Sequence, residues 1–196
     1  MEVLLAIRGA NFVLCASNKA AVRGITVIKD TDDKTRKLND HNLVLYSGEA
    51  GDTVQFTEYI QANIRLYGMR NECELNPEAV ASFTRRELAD SLRSRKPYQV
   101  NLLLAGFDVV TNKAHLHWID YLGASVAVPY AAHGYAAYYC MSIFDRYHRP
   151  DITLEEANDI LKKCFQELEK RLPVDVKGFN IHVVNKNGVM LSSDGI

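Results

Sequence analysis

The sequence predicts an α+β protein in which two antiparallel sheets pack face to face and a pair of helices covers each outer side. The predicted order is strands, two helices, strands, two helices, strands. Because strands do not alternate singly with helices, a parallel Rossmann-type sheet is disfavoured. Several strands are apolar on both faces, which indicates that both faces are buried.

The first block of the chain predicts a hairpin and two further strands. The runs "EVLLAIRG" and "FVLCAS" are short, apolar and separated by a glycine-containing turn. "GITVIK" is rich in β-branched residues, and "NLVLYS" is apolar. The polar segment "DTDDKTRK" between them is assigned to a loop or a sheet edge.

Two helices are predicted next. Asp52 with Gln55 three residues later resembles a capping box. Asn76 followed by Pro77 is typical of a second helix start. The first helix carries apolar or aromatic residues at helical spacing, namely Phe56, Tyr59, Ile60, Ile64 and Tyr67.

The second half repeats the pattern. Strands are predicted in "YQVNLLLAGF", "AHLHWID" and "ASVAVP", and a helix from about Gly134 to Arg146 follows. A further helix opens with the capping box of Thr153 and Glu156 and is stopped by Pro173. A last hairpin joins "FNIHVV" to "VML". The predicted buried face of the last helix comprises Leu154, Ala157, Ile160, Leu161, Cys164, Leu168 and Leu172.

Composition indicates one soluble domain over residues 1–196, with 47% hydrophobic and 24% charged residues. The net charge of -1 gives no whole-protein field for nucleic acid or an anionic membrane. No apolar run is long enough for a membrane span, and "MEVLLAIRG" does not read as a signal peptide. The four cysteines form no C-x-x-C, so we expect free buried thiols in a reducing compartment, the cytosol or nucleus.

The stretch "YSGEAGDTVQF" has the strand, turn and helix layout of a phosphate-binding loop. It lacks the lysine and the glycine spacing of the known phosphate motifs. Glu49 and Asp52 would repel a phosphate at this helix N-terminus. A structural turn is therefore favoured over a phosphate site.

Other polar residues predict no metal or cofactor. His115 and His117 share one face of a strand, but no cysteine or carboxylate completes a metal site, so an exposed strand face is favoured. His133 is assigned to packing or an interface. Asp30, Asp32 and Asp33 lack the rest of a calcium loop and are expected in a solvated turn.

The cysteines and a basic cluster are the remaining candidate sites. Cys15 and Cys164 lie in apolar patterns and are expected to be inert core thiols rather than nucleophiles. A solvated face is favoured for the basic cluster, ahead of an acidic partner and of nucleic acid. This cluster at the end of the second helix consists of Arg85, Arg86, Arg93, Arg95 and Lys96.

Five segments taken together resemble the β subunits of the 20S proteasome, in order and across essentially the whole chain. They are "GEAGDTVQFTEYIQANI", "RSRKPYQVNLLLAGFD", "IDYLG", "AAHGY" and "RPDITLEEA". The resemblance implies a four-layer αββα sandwich of the N-terminal-nucleophile hydrolase class. It also implies partners, namely the other α and β subunits of a particle with a seven-membered β ring stacked on an α ring and on a second β ring, and indirectly the regulatory particle.

The resemblance implies a catalytic pattern that this chain lacks. Active relatives use an N-terminal threonine whose own amine is the base. Here Met1 stands in the nucleophile's place with no propeptide to remove, Ser17 stands in that of the supporting aspartate, and Lys34 matches the supporting lysine. Tyr135 and Lys177 fall near the two family serines, and Asp175 falls near the remaining aspartate.

We therefore expect a non-catalytic structural β subunit, in the cytoplasm and nucleus, that completes the β ring and supports catalytic neighbours in ubiquitin-dependent protein degradation. The alternative is a peptidase of the same class that processes itself to expose a new N-terminal nucleophile. A stand-alone phosphate-ligand binder is a third class, and the acidic turn argues against it.

Overall fold

The computed structural model describes residues 2–24, 26–172 and 178–192. These residues form twelve strands and four helices. The strands are β1 (Leu4–Arg8), β2 (Phe12–Asn18), β3 (Ala21–Arg23), β4 (Thr26–Lys29), β5 (Thr35–Asn39), β6 (Asn42–Gly48), β7 (Val100–Asp108), β8 (Lys113–Ile119), β9 (Ser125–Ala127), β10 (Tyr130–His133), β11 (Phe179–Asn185) and β12 (Gly188–Leu191). The helices are α1 (Ala50–Asn71), α2 (Pro77–Ser91), α3 (Ala136–Tyr147) and α4 (Leu154–Arg171).

The strands form two five-stranded sheets and one separate hairpin. Sheet 1 has the order β10-β1-β2-β11-β12, and sheet 2 has the order β5-β6-β7-β8-β9. The hairpin of β3 and β4 forms a two-stranded sheet of its own. Every described strand pair is antiparallel. The prediction of an α+β protein built on antiparallel sheets is confirmed.

Three hydrophobic clusters pack these elements together. One cluster joins residues of both sheets, with Leu4 and Val13 from sheet 1 and Leu45 and Leu103 from sheet 2. A second joins the other face of sheet 1 to α3 and α4, and a third joins the other face of sheet 2 to α1 and α2. Alternate residues of one strand therefore enter different clusters, which is why these strands are apolar on both faces.

Two predicted helix starts are confirmed, and one is wrong. The Asn76 side chain accepts a hydrogen bond from the amide of Ala79 at 2.8 Å, and α4 begins with the predicted capping box at Thr153. The box at Asp52 does not form. Instead α1 begins at Ala50 without a side-chain cap, and Asp52 accepts a bond from the Gln99 amide at 3.1 Å. The positive φ of Gly48 turns the chain from β6 into α1 two residues earlier than predicted.

Further differences concern the edges of elements. The end of the segment assigned to a loop or sheet edge forms the start of the edge strand β5, in agreement with the second of these alternatives. Tyr59 and Tyr67 of α1 and Leu154 of α4 are 45%, 42% and 37% exposed, whereas other apolar residues at the same helical spacing are buried. Pro173, the predicted helix stop, lies outside the described residues. None of the described helices combines the length and hydropathy needed to cross a membrane.

Candidate functional site

A cleft of about 900 Å³ lies at the end of the molecule where the start of sheet 1 faces the turn between β6 and α1. The β3–β4 hairpin contributes Ala21, Val22 and Ile28 to one wall, and α1 contributes Thr53 and Val54. Its polar lining includes Glu2, Asp32, Asp33, Lys34, Gly48 and Glu49. The cleft therefore contains Lys34 and the acidic turn, two features that the sequence singled out separately.

The Lys34 ammonium group is buried and fully bonded. Its Nζ donates to the carbonyl oxygens of Asn18 at 2.8 Å and Ala20 at 3.0 Å, and it lies 3.2 Å from Oδ2 of Asp32. Lysine has three N–H donors, and these three acceptors match them. A lysine bonded in this way connects the end of β2 to the Asp32 turn.

Ser17 is fully buried on β2, opposite Leu4 of β1. Its Oγ has no hydrogen-bond partner within the part of the chain that the structure describes. A hydroxyl is neutral at physiological pH, so it supplies no negative charge to orient or balance a neighbouring ammonium group. The next side chain, that of Asn18, accepts a bond from the Val3 amide at 2.9 Å and fixes the start of β1.

The carboxylate of Glu2 occupies the turn that the sequence raised as a phosphate loop. It accepts a hydrogen bond of 2.8 Å from the backbone amide of Gly48. Burial raises the pKa of Glu2, while this bond and the charge of Lys34 oppose that rise. The turn thus binds an acid of its own chain, in agreement with a structural turn. Sequence reasoning did not identify Glu2, because no short-range pattern connects it to Gly48.

The other residues implied by the resemblance are less informative. Met1, Asp175 and Lys177 lie outside the described residues. Tyr135 stands at the start of α3 with its side chain largely exposed, and it is not among the cleft-lining residues. Its neighbour Gly134 packs on the Glu2 carbonyl, so Tyr135 follows a segment that touches the start of β1.

His115 and His117 lie on strand β8. The rings of His115 and His117 are stacked at 6.5 Å, which confirms their shared face. That face is half-buried rather than exposed, because α2 covers it and Glu78 lies 3.7 Å from His115. Among the described residues, no cluster of three acidic, cysteine or histidine side chains could hold a metal ion.

His133 links the two sheets. Its Nε2 bonds the Leu102 carbonyl oxygen of β7 at 2.9 Å, and its ring stacks on Trp118 at 5.1 Å. Burial lowers the pKa of His133, against the opposing effect of the backbone bonds. The prediction that His133 serves packing agrees with this geometry.

The cysteines and the aspartate turn differ partly from expectation. Cys15, Cys140 and Cys164 are buried, and burial raises the pKa of the Cys15 thiol, as expected for inert core thiols. Cys73 is exposed, so the expectation of four buried thiols is wrong there. The aspartate turn is ordered rather than only solvated, because Asp33 accepts bonds from the amide and hydroxyl of Thr35.

The basic cluster at the end of α2 remains mostly solvated. Arg86 is exposed and lies 3.8 Å from Asp90 one turn later, which is a surface pair of small energetic value. Arg85 instead donates to the Gly123 carbonyl oxygen at 2.9 Å and ties α2 to the loop after β8. Arg93, Arg95 and Lys96 follow the helix in an exposed or half-exposed segment.

Comparison with known proteins gives one consistent result. Residues 2–184 match the family described as "Proteasome subunit". A "Probable proteasome subunit beta type-4" of Schizosaccharomyces pombe is 60% identical over 189 residues, which cover 96% of this chain and 97% of the relative. "Proteasome subunit beta type-4" of Saccharomyces cerevisiae is 55% identical, with 99% and 98% covered. "Proteasome subunit beta type-2" of Oryza sativa is 44% identical, with 96% and 88% covered.

Proposed function

The chain belongs to the proteasome subunit family as a β-type member, and from this premise we propose that it is a non-catalytic, structural β subunit of the core particle. In this role it completes a seven-membered β ring and supports catalytic neighbours during ubiquitin-dependent protein degradation. The proposal rests on sequence identity of 60% and 55% to β-type subunits over 96% and 99% of this chain. The matched region leaves no room for an additional domain.

The packing of the sheets and helices supports a proposal for how the layers of the fold are arranged. We assign residues 1–196 to a single four-layer αββα sandwich of the N-terminal-nucleophile class. Three hydrophobic clusters, one joining the sheets and one on each outer face, are what such layering requires. A closed ring of different subunits then needs two different contact surfaces on each subunit, since the contacts are head-to-tail.

Two side chains support the absence of catalysis. Ser17, in the place of the supporting aspartate, carries no charge, and Lys34, in the place of the supporting lysine, has its three donors engaged. In the nucleophile's place stands Met1, whose thioether has no proton to lose and is at most a weak acceptor. The positions of the nucleophile and of the supporting aspartate therefore lack the chemistry that a threonine-type peptidase uses, and Lys34 has no nucleophile to activate.

Two segments are proposed as ring contacts, residues 138–149 and residues 85–95. Tyr138 is 83% exposed and Tyr147 is 43% exposed, whereas Cys140 and Phe144 on the same helix are buried. Exposed aromatic side chains of this kind are enriched at protein interfaces. The partners are other α and β subunits, and we place the particle in the cytoplasm and nucleus. No nucleic acid, membrane, metal or cofactor enters this proposal.

Native mass spectrometry of particles purified through a tag on this chain tests the proposal. The expected result is a particle of many different subunits with two copies of this chain. Intact-mass analysis of the released chain should show an N-terminus that is unprocessed or trimmed only of Met1. A small homo-oligomer, or a chain shortened to a new Thr or Ser terminus, would contradict the proposal and support the self-processed peptidase.

The segment assignment is tested in the same preparation. Replacing the exposed aromatic residues Tyr138 and Tyr147 by serine should lower the recovery of complete particles, because the substitutions remove contact area without touching the core. Replacing Tyr121, which is 40% exposed outside both segments, is the control. Equal recovery of all variants would refute the assignment of residues 138–149 while leaving the subunit proposal intact.

A further inference from the structure

Strand β5 forms one edge of sheet 2, and β9 forms the other. The side of an edge strand that faces away from its sheet presents backbone N–H and C=O groups without a neighbouring strand. Such a row of groups can pair with a strand of another chain, which leads to association or aggregation. Whether β5 can pair in this way depends on which of its outward backbone groups are already bonded.

One hydrogen bond identifies the backbone groups of β5 that point away from β6. The Tyr46 amide donates to the Lys34 carbonyl oxygen at 3.0 Å, so the residue just before β5 faces β6. In an antiparallel pair, residues that bond the partner strand alternate with residues whose N–H and C=O groups face away from it. Thr35 and Lys37 therefore direct these groups outward, and we call this side of the strand the β5 edge.

Side chains of helix α1 reach the β5 edge and bond it. Nε2 of Gln61 donates to the Lys37 carbonyl oxygen at 2.6 Å, and Nη2 of Arg65 donates to the same oxygen at 3.5 Å. Nε of Arg65 donates to the Leu38 carbonyl oxygen at 3.4 Å. Arg36 donates to Oε1 of Gln61 at 3.4 Å, which orients the amide with its NH₂ group toward Lys37. The acceptor that an added strand needs at Lys37 is thus occupied.

Three further features of β5 oppose the addition of a strand. The carboxylate of Asp33 accepts the outward amide of Thr35 at 3.0 Å. The pairing with β6 shifts in register between Lys37 and Asn39, and such a bulge interrupts the regular spacing that an added strand requires. The strand also carries Arg36 and Lys37, and charged side chains are typical of edges that do not pair.

The opposite edge of sheet 2 differs from β5 in each of these respects. Strand β9 (Ser125–Ala127) carries no charged residue and pairs with β8 in regular register. Within the described ranges, no side chain bonds the backbone of β9. It has three residues, whereas β5 has five, and a very short edge strand offers little to pair with. The bonds from α1 therefore cover the longer of the two edges.

We propose that Gln61 and Arg65 block the β5 edge against strand addition by a second copy of this chain. The occupant that fits the unblocked edge is another β5, because two identical edges pair antiparallel about a two-fold axis and each offers the outward groups of Thr35 and Lys37. This pairing would join two copies of sheet 2 into one continuous sheet. The inference concerns contacts within the folded chain and does not depend on the proposed function.

The test compares the purified full-length chain with the double variant Gln61→Ala/Arg65→Ala. Gln55→Ala/Arg70→Ala is the matched control, because it changes the same residue types on the same helix at exposed positions that do not bond β5. Light scattering after size-exclusion chromatography should show dimers of the double variant at a concentration about tenfold lower than for the wild type and the control. Equal masses of all three proteins across the concentration series would overturn the proposal.

A third substitution shows whether the dimer forms through β5. Lys37→Pro removes an N–H group that points away from β6, so it blocks strand addition without breaking the pairing within sheet 2. Added to the double variant, it should restore the mass of the wild type. Hydrogen exchange of the β5 amides should be about tenfold slower in the dimer than in this triple variant. A dimer that persists with proline would involve another surface and would overturn the proposal.

A folding defect is distinguished from loss of the block. If Gln61→Ala/Arg65→Ala does not fold, Gln61→Met removes the donor to Lys37 but keeps the length of the side chain, and it provides the same test. Failure of both variants to fold, with a folded control, would show that these bonds are required for the fold itself, and it would refute the blocking role.

Discussion

Replacing Lys34 by methionine should strongly destabilise the chain. Methionine keeps a similar length and apolar stem but removes all three donors. The Asn18 carbonyl oxygen would lose its 2.8 Å bond from Lys34, and loss of a buried bond from a charged donor costs ~1–3 kcal/mol. The Ala20 carbonyl keeps a longer bond of 3.3 Å from the Asn18 amide, so its loss lies at the low end, ~1 kcal/mol.

Loss of the ion pair with Asp32 adds less to the destabilisation, because Asp32 is about one-third exposed and water compensates its charge. A contribution of ~0–1 kcal/mol is appropriate there. Together these losses give a destabilisation of about 3 kcal/mol, which is a large part of the 5–15 kcal/mol of a typical domain. The interaction holds the end of β2 against the Asp32 turn, so the effect should reach the whole fold.

Urea unfolding followed by the fluorescence of Trp118 measures this free energy. Trp118 is the single tryptophan of the chain and stacks on His133, so its emission reports tertiary structure. With a slope of ~2 kcal/mol per molar urea, the midpoint should fall by about 1.5 M. Lys37→Met is the control, because its 2.6 Å pair with Asp40 is exposed and should change the midpoint by less than about 0.5 M. Equal shifts in the two variants would refute the reasoning.

Three further predictions use the same unfolding assay. Gly106→Ala should lower the free energy of unfolding by ~1–3 kcal/mol, because the added Cβ atom would lie 2.6 Å from Pro77 Cβ. Gly51→Ala places its Cβ atom in open space and should be neutral or stabilise by up to about 1 kcal/mol. Similar effects of the two substitutions would contradict the packing argument. Burial lowers the pKa of His133 in the fold, whereas the unfolded chain takes up a proton near pH 6.5. The stability should therefore fall as the pH drops below about 6.5, by at most ~1.4 kcal/mol per pH unit for this group, and His133→Phe should flatten that slope. An unchanged slope would exclude His133 as its source. Thr153→Ala should cost ~1 kcal/mol through loss of the capping box, and a change below about 0.3 kcal/mol would show that the cap is dispensable.

Local patterns were enough to predict much of the fold. Short apolar runs bounded by turn residues identified the long strands, and the cap residues Asn76 and Thr153 located two helix starts to the residue. These signals involve residues only three or four positions apart, so they can be recognised in the sequence. The start of α1 was misplaced because Gly48, and not a cap side chain, determines where that helix begins.

The candidate site depends on contacts that the sequence does not display. Lys34 was identified through a resemblance, but its bonds to the Asn18 and Ala20 carbonyl oxygens follow from where β2 ends in space. Glu2 was missed altogether, since its partner Gly48 is on a different sheet. Half-burial of His115 likewise depends on α2, which packs over the strand from a distant part of the chain.

The strand order of sheet 1 constrains how this chain can fold during synthesis. Sheet 2 is built from one continuous stretch, Thr35–Ala127, and can pair as soon as that stretch has left the ribosome. Sheet 1 instead places β2 beside β11, with Val13 opposite Val184. The apolar strand β2 therefore waits with one edge unpaired until almost the whole chain has been translated, which is the condition under which strands associate with the wrong partner. A chain of this design depends on its final strands, and on protection of its first ones, to fold correctly.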